Sequence, residues 1–214
     1  MLVKQRAENF GKDNPHYQCL PSGPGYITAG GMKRLLQTSS MIVILNEDLT
    51  YRRIHTDGCN LEAEPNPSWM GYAVGHWDGD TLVEESNGYN DRTWLQGGYP
   101  HTEALSITER YRCSDFGHLE IAVTFQDPKA YSKAWTVPIR AQLATDTELL
   151  EAVCNEAHSG QEHLGRQRFG RREICGEGRS RSPREIWRRL QRAVSRAAPA
   201  RSMLLSPAVY CLSP

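Results

Sequence analysis

Apolar and polar residues alternate along several short segments of this chain. The alternation is cleanest in residues 118–125, where Leu119, Ile121, Val123 and Phe125 fall on one face. Because successive side chains of a β-strand point to opposite faces, this pattern predicts strands with one buried face. The segments predicted as strands are 40–46, 49–56, 72–77, 81–86, 105–111, 118–125 and 132–140.

Turn-forming residues separate these segments. Asp78-Gly79-Asp80 is a strong hairpin signal, and Pro65-Asn66-Pro67 imposes an extended connection. Six or seven short strands with little helix between them predict an all-β fold, either an antiparallel β-barrel or a sandwich. One short C-terminal helix is predicted near residues 146–154, where a capping-box spacing precedes an apolar stripe.

Composition divides the chain into three parts. We predict an irregular N-terminal segment at 1–38, a β-rich core domain at 39–157 and an arginine-rich tail at 158–214. Residues 159–214 carry 12 Arg, no Lys and 4 Glu, whereas residues 1–158 carry 13 basic and 21 acidic side chains. The tail is interpreted as disordered or as the product of a shifted reading frame. A basic amphipathic helix that binds membranes or nucleic acid is the alternative.

The apolar runs are too short for a membrane span, which needs ~18 residues. The N-terminus lacks the basic start and apolar stretch of a signal peptide. A cytoplasmic chain without a membrane span is therefore expected. No nucleic acid partner is expected, because aromatic residues do not interleave with the arginines of the tail.

Candidate chemistry lies first in the segment His76-Trp77-Asp78-Gly79-Asp80. Residues two apart on a strand share a face, so His76 and Asp78 are expected to point the same way. Together with Asp80, they are a candidate site for calcium or a transition metal. The alternative is a plain hairpin turn, for which Asp-Gly suffices.

A second candidate stretch joins Asn90-Asp91 to His101-Thr102-Glu103, on a connection between two predicted strands. A histidine beside carboxylates can act as a general base or as a metal ligand. The alternative is that His101 and Glu103 are exposed or fasten the loop to the sheet. Glu109 lies on the apolar face of its predicted strand and needs a partner there, with Arg110 and Arg53 as candidates.

Aromatic residues suggest an apolar pocket. Trp69, Tyr72 and Trp94 are the candidate lining residues, and Trp77, Tyr89 and Trp135 are further members of the same group. Such side chains suit a small apolar ligand, although they serve equally well as ordinary core.

Several motifs, in this order, resemble a large, poorly characterised family of exported β-rich bacterial proteins that is abundant in soil genomes. They are PSWMGY at 67–72, GHWDGDTLV at 75–83, GYNDRTWL at 88–95, PHTEAL at 100–105, TERY at 108–111, DPKAY at 127–131 and VCNE at 153–156. The resemblance covers about residues 19–156. It implies export and a β-rich fold, without implying an activity.

Six cysteines are present, and none of them form a C-x-x-C pair. Six reduced thiols are one interpretation. The other is a single disulfide between Cys19 and Cys154, which export in the family and their positions at opposite ends of the core both suggest.

The sequence favours, narrowly, a small-molecule hydrolase acting on an ester or lactone. In this hypothesis His101 is the general base and Glu103 orients it, with or without a divalent cation held by His76, Asp78, Asp80 or Asp91. No organic cofactor is expected. The alternatives are a non-catalytic β-barrel that binds a small apolar ligand and a structural envelope domain.

Overall fold

The computed structural model describes residues 2–9, 12–28 and 31–154. Helix α1 spans Leu2–Glu8 and helix α2 spans Gly25–Thr28, with short 3₁₀ turns at Pro15–Gln18 and Gln96–Gly98. Eight strands follow in chain order: β1 Lys33–Gln37, β2 Met41–Asn46, β3 Tyr51–His55, β4 Tyr72–Asp78, β5 Thr81–Asn87, β6 Ser106–Asp115, β7 His118–Gln126 and β8 Trp135–Gln142.

The eight strands form one sheet in which each strand pairs with its neighbours in sequence. Every pair is antiparallel except β3 and β4, which run parallel with Ile54 opposite Ala73. The parallel pair arises because the connection 56–71, extended by Pro65 and Pro67, carries the chain back before β4 begins. The all-β prediction is confirmed, but the purely antiparallel arrangement is wrong, because the sheet is mixed.

The sheet curls into a half-barrel. Among residues 2–9, 12–28 and 31–154, the edge strands β1 and β8 pair with β2 and β7 alone, yet Leu35 of β1 and Ala141 of β8 line the same cavity. Strong curling follows from the right-handed twist that accumulates across many strands. The concave face therefore encloses an interior space, as in a barrel that has not closed.

Alternation decides which side chains enter this interior. In β2 the buried residues are Ile42, Ile44 and Asn46, and in β3 they are Arg52 and Ile54. Two apolar clusters result, one around Leu105, Ile107, Val123 and Phe125, and the other around Ile42, Ile54, Leu82 and Tyr111.

The segment 1–38 contains elements that were not predicted from sequence, among them α2, the 3₁₀ turn at Pro15–Gln18, α1 and β1. Strand β1 lies inside the segment 1–38 that was expected to be irregular, and it raises the strand count to eight. Helix α1 also lies there, with the Arg6 guanidinium carbon 3.8 Å from the centre of the Trp94 ring. Neither element has an apolar alternation of its own, and both gain their contacts from the rest of the domain.

The predicted C-terminal helix at 146–154 is wrong. Residues 143–153 have no regular secondary structure. The Ala152 amide donates to the Glu47 carbonyl at 2.6 Å, and Leu149 lines the cavity. These long-range contacts hold the segment extended across the sheet, and they outweigh the weak stability of an isolated helix of two turns. The predicted tail at 158–214 lies outside the described residues.

Candidate functional site

The concave face of the sheet holds a cavity of about 320 Å³. Its walls are mostly apolar, and they come from both edges of the sheet and from the loops beside them. The apolar lining residues include Ile27, Met32, Leu35, Ile44, Met70, Leu119, Ile121, Ala141, Leu143 and Leu149. A volume of this size falls within the range of small-molecule sites.

Three charged side chains are buried on this same concave face. Arg52 of β3 is 5% exposed, and Glu84 of β5 and Glu109 of β6 are 0% and 1% exposed. Arg52 Nη2 lies 2.6 Å from Glu84 Oε1 and 2.7 Å from Glu109 Oε1. We call these three residues with Tyr111 the Arg52 network. Arg52, Glu109 and Tyr111 line the cavity.

The two buried carboxyl groups of the network differ in how readily they take up a proton. Burial raises the pKa of Glu84 well above its ordinary value, while contacts with Arg52, Glu84 and Tyr111 outweigh burial and lower the pKa of Glu109. Glu84 is therefore the carboxyl group that takes up a proton more readily, and Glu109 is the one that stays ionised beside Arg52. Arg52 and Glu109 then balance each other's charge, which is how a buried charge avoids the cost of standing alone.

Tyrosines extend this network into both apolar clusters. The Tyr111 hydroxyl donates to Glu109 Oε2, and the Tyr89 hydroxyl donates to Ser86 Oγ at 2.7 Å. Tyr89 fits because Gly71 has φ +67 and no side chain, and a Cβ there would lie 2.7 Å from the Tyr89 ring. The Tyr89 and Tyr111 hydroxyls are thus both partnered inside the core.

Lys33 of β1 sits at the edge of the same cavity. Its Nζ donates to the Tyr26 carbonyl at 3.0 Å and lies 4.4 Å from the centre of the Tyr26 ring. Burial, reinforced by the charge of Arg52, lowers the pKa of Lys33. The cavity is therefore apolar along its walls and polar where β1, β2, β3 and β6 come together.

His101 lies elsewhere, in the loop before β6, and it is 5% exposed. Its Nε2 is 3.0 Å from Thr93 Oγ1, and its Nδ1 is 3.4 Å from the Thr102 carbonyl. Burial lowers the pKa of His101, so the ring is neutral at pH 7. These contacts match the alternative in which His101 fastens a loop.

Glu103 does not orient His101 in the described part of the chain. The side chain of Glu103 is exposed. Asp127 instead organises this loop, with its carboxylate accepting from the Thr102 amide at 2.7 Å and from the Thr102 hydroxyl at 3.0 Å. The proposed base and orienter are therefore not in contact.

The predicted metal ligands are spread out. Asp78 pairs with Arg110 at 2.7 Å, and Asp80 pairs with Arg112 at 3.5 Å, on the exposed face of the β4–β5 hairpin. His76 is exposed on the same strand. Among residues 2–9, 12–28 and 31–154, no three His, Cys, Asp or Glu side chains converge to hold a metal ion. The hairpin turn expected as the alternative is present, with Gly79 at φ +61.

Three of the predicted residues share a second, separate groove. Trp69, Asp91 and Glu103 line it together with Pro67, Ser68, Asn90 and Arg92, and its volume is about 350 Å³. Tyr72 and Trp94 lie outside both this groove and the central cavity. The aromatic pocket predicted from Trp69, Tyr72 and Trp94 is thus not formed by these three side chains together.

Cys19 and Cys154 are joined by a disulfide, with their Cα atoms 5.5 Å apart. The bond connects the segment before α2 to the extended segment after β8, across a sequence separation of 135 residues. This pairing is the one that the sequence analysis put forward, but Cys113 is disulfide-bonded as well, so the expectation of a single disulfide is wrong. Cys59, in contrast, is an exposed free thiol.

Comparison with protein-family models, curated proteins and solved structures gave no match to this chain. The family resemblance drawn from the motifs therefore stays a prediction. In the part of the chain that the structure describes, no helix has the length and apolar character to cross a bilayer.

The sequence analysis missed the buried polar centre. It placed Glu109 on an inner face and named Arg53 and Arg110 as partners, but both of those side chains are exposed. The partner is Arg52, which shares the inner face of β3 with Ile54. The sequence contained the information needed to place Arg52 on the inner face. Arg52 and Ile54 are two residues apart on one strand, so their side chains point to the same side of the sheet.

Proposed function

We propose that this protein binds a small, largely apolar molecule in the cavity inside the curled sheet. The observation that carries the proposal is the cavity itself, about 320 Å³ with mostly apolar walls beside the Arg52 network. Removing apolar surface from water contributes roughly 25 cal/mol per Å². A ligand that covers these walls is stabilised by the free energy of removing their apolar surface, and its own, from water.

The polar edge of the cavity supports the same proposal. Ligand sites are typically apolar with a few fixed polar groups that set orientation. The Arg52 network is rigid, because each member is buried and partnered by a neighbouring strand. A preformed site of this kind does not pay to order its side chains when the ligand arrives.

The hydrolase hypothesis has less support from the geometry. It needs a base that can reach a bound substrate, whereas His101 is buried and bonded to Thr93 and Thr102. His101 is also absent from the lining of the central cavity. Ester or lactone hydrolysis stays a prediction, and the binding module, which the sequence left as an alternative, is the function proposed here.

The experiment is a titration of the full chain with N-phenyl-naphthylamine, an uncharged dye whose fluorescence rises in apolar surroundings. We expect saturable binding at one site per chain, with a dissociation constant in the micromolar range, which corresponds to about 8 kcal/mol. A linear, non-saturating signal would contradict the proposal. A panel of esters and lactones, assayed on the same sample, tests the hydrolase.

A further inference from the structure

We infer that the polar end of the ligand is an uncharged group that both donates and accepts hydrogen bonds, such as an alcohol or a primary amide. The inference rests on the proposed binding function and specifies the ligand class. Its basis is two side chains of the cavity lining, Asn46 and Arg52, each of which has one buried atom without a hydrogen-bond partner among the described residues. Glu109 Oε1, also in the lining, makes no hydrogen bond there either, but it lies 2.7 Å from Arg52 Nη2 as an ion pair.

Asn46 provides an acceptor. Its Nδ2 donates to Thr50 Oγ1 at 2.9 Å, and the Thr50 hydroxyl gives its own hydrogen to Asp48 Oδ1 at 2.5 Å. Thr50 Oγ1 therefore has to accept from Asn46, which fixes the orientation of the amide. The remaining atom, Asn46 Oδ1, has no partner, and the side chain is 5% exposed.

Arg52 provides a donor. Its Nη2 serves Glu84 and Glu109, while its Nε is buried without a partner. Asn46 and Arg52 lie on the same face of adjacent strands, because Arg52 pairs with Ile44 and Ile44 is two residues from Asn46. One acceptor and one donor therefore belong to diagonal positions on the inner face of neighbouring strands.

Charge balance selects an uncharged group. Arg52 and Glu109 already neutralise each other, and the Lys33 ammonium at the cavity edge is engaged with the Tyr26 carbonyl and ring. A carboxylate would place its charge near Glu109 and face the Asn46 oxygen with another acceptor. An ammonium group would approach Arg52 and offer no acceptor to its Nε. A hydroxyl or amide satisfies both atoms, whose unmet hydrogen bonds otherwise carry a desolvation cost.

The test is competition against N-phenyl-naphthylamine bound to the full chain at pH 7. Decanol, decanamide, decanoate and decylamine have the same chain and differ at the polar end. We expect decanol and decanamide to displace the dye at concentrations about tenfold lower than either ion, the ratio expected for one hydrogen bond that only the uncharged group makes.

A matched pair of variants checks the assigned residue. Asn46→Leu should remove most of the preference for decanol while the dye affinity changes less than about twofold. Asn60→Leu, at an exposed asparagine outside the cavity lining, should leave both unchanged. If Asn46→Leu does not fold, competition by the four ten-carbon compounds on the unaltered chain still tests whether the uncharged polar groups are preferred.

The outcomes separate the two proposals. Equal or stronger displacement by decanoate or decylamine would overturn the inference while the binding function stands. Absence of saturable dye binding would remove the binding function and the inference with it. Dye binding with a preference for decanol and decanamide that Asn46→Leu removes would support both.

Discussion

Glu84 and Glu109 face each other directly across β5 and β6, and both contact the same atom, Nη2 of Arg52, at 2.6 and 2.7 Å. Two buried carboxyl groups in direct contact cannot both ionise at low cost. Burial raises the pKa of Glu84, and the Arg52 guanidinium offsets the charge of Glu109, so the arrangement favours a site without net charge. This arrangement places a fixed, uncharged polar centre beside an apolar cavity, and it leads to measurable consequences.

The first prediction concerns the proton on Glu84. Its pKa is raised in the folded protein, so the stability it contributes is present below its unfolded pKa, near 4.5, and falls as pH rises toward the folded pKa. Glu84→Gln keeps a donor toward Glu109 without that titration. The free energy of unfolding of Glu84→Gln minus that of the native chain should therefore increase with pH, by up to ~1.4 kcal/mol per unit.

Urea unfolding at several pH values from 4.5 to 7.5 measures this difference. Glu85→Gln is the matched control, since Glu85 is exposed on the opposite face of β5. Its difference from the native chain should be small and independent of pH. A difference for Glu84→Gln that stays constant over the range would mean that Glu84 is not the protonated partner.

The second prediction concerns Arg52. Arg52→Met leaves Glu109 buried without its cation, and breaking a buried pair in this way costs about 3–5 kcal/mol. Much of that loss should disappear near pH 4, because Glu109 without Arg52 takes up a proton more readily. Arg53→Met, at the exposed neighbour, should change the free energy of unfolding by no more than ~0.5 kcal/mol. Equal effects of the two variants would contradict the assignment.

The third prediction concerns the disulfide. Reduction of the Cys19–Cys154 bond, or the double substitution of both cysteines by serine, should lower the free energy of unfolding by about 2–4 kcal/mol, because the unfolded chain gains conformational freedom. Cys59→Ser should have no effect, since Cys59 is an exposed free thiol. Thermal unfolding of the double serine variant beside the native chain gives the measurement, because reductant would also open the disulfide of Cys113. Identical melting curves for the two proteins would show that the bond does not stabilise the domain.

The fourth prediction separates the two roles considered for His101. As a loop fastener, His101→Ala should cost about 1–3 kcal/mol of stability, because Thr93 Oγ1 loses its buried partner. Any ester or lactone turnover should persist in the folded variant. His118→Ala is a control for stability alone, since His118 is exposed and pairs with Asp115 at 2.7 Å but also lines the central cavity. Loss of turnover with unchanged stability would restore the hydrolase hypothesis.

Much of the sheet was predictable, because apolar and polar residues alternate along a strand that has one buried face. Residues 118–125 gave β7 almost to the residue, and Asp78-Gly79-Asp80 gave the β4–β5 turn. Strand β1 was missed because its burial depends on β2, with which it pairs, and its own pattern is weak. The residues 146–154 have helical periodicity, but the contacts of Ala152 and Leu149 override it.

The candidate site was harder to predict, because it depends on register between distant strands. Glu84 and Glu109 become partners only through the β5–β6 pairing, and Arg52 reaches both from β3. No local motif encodes that convergence. Histidine and aspartate clusters were more visible in the sequence, but they occupy a surface hairpin and a loop, where Asp78 pairs with Arg110 and His101 with Thr93.

The most direct measurement of the binding proposal is a dye titration of a variant with a blocked cavity. Ala141 of β8 lines the cavity, and Ala134 is exposed just before the same strand. Ala141→Phe should weaken N-phenyl-naphthylamine binding at least about tenfold, a change of about 1.4 kcal/mol, whereas Ala134→Phe should bind as the native chain does. Equal binding by both folded variants, or no saturable binding by the native chain, would contradict the account.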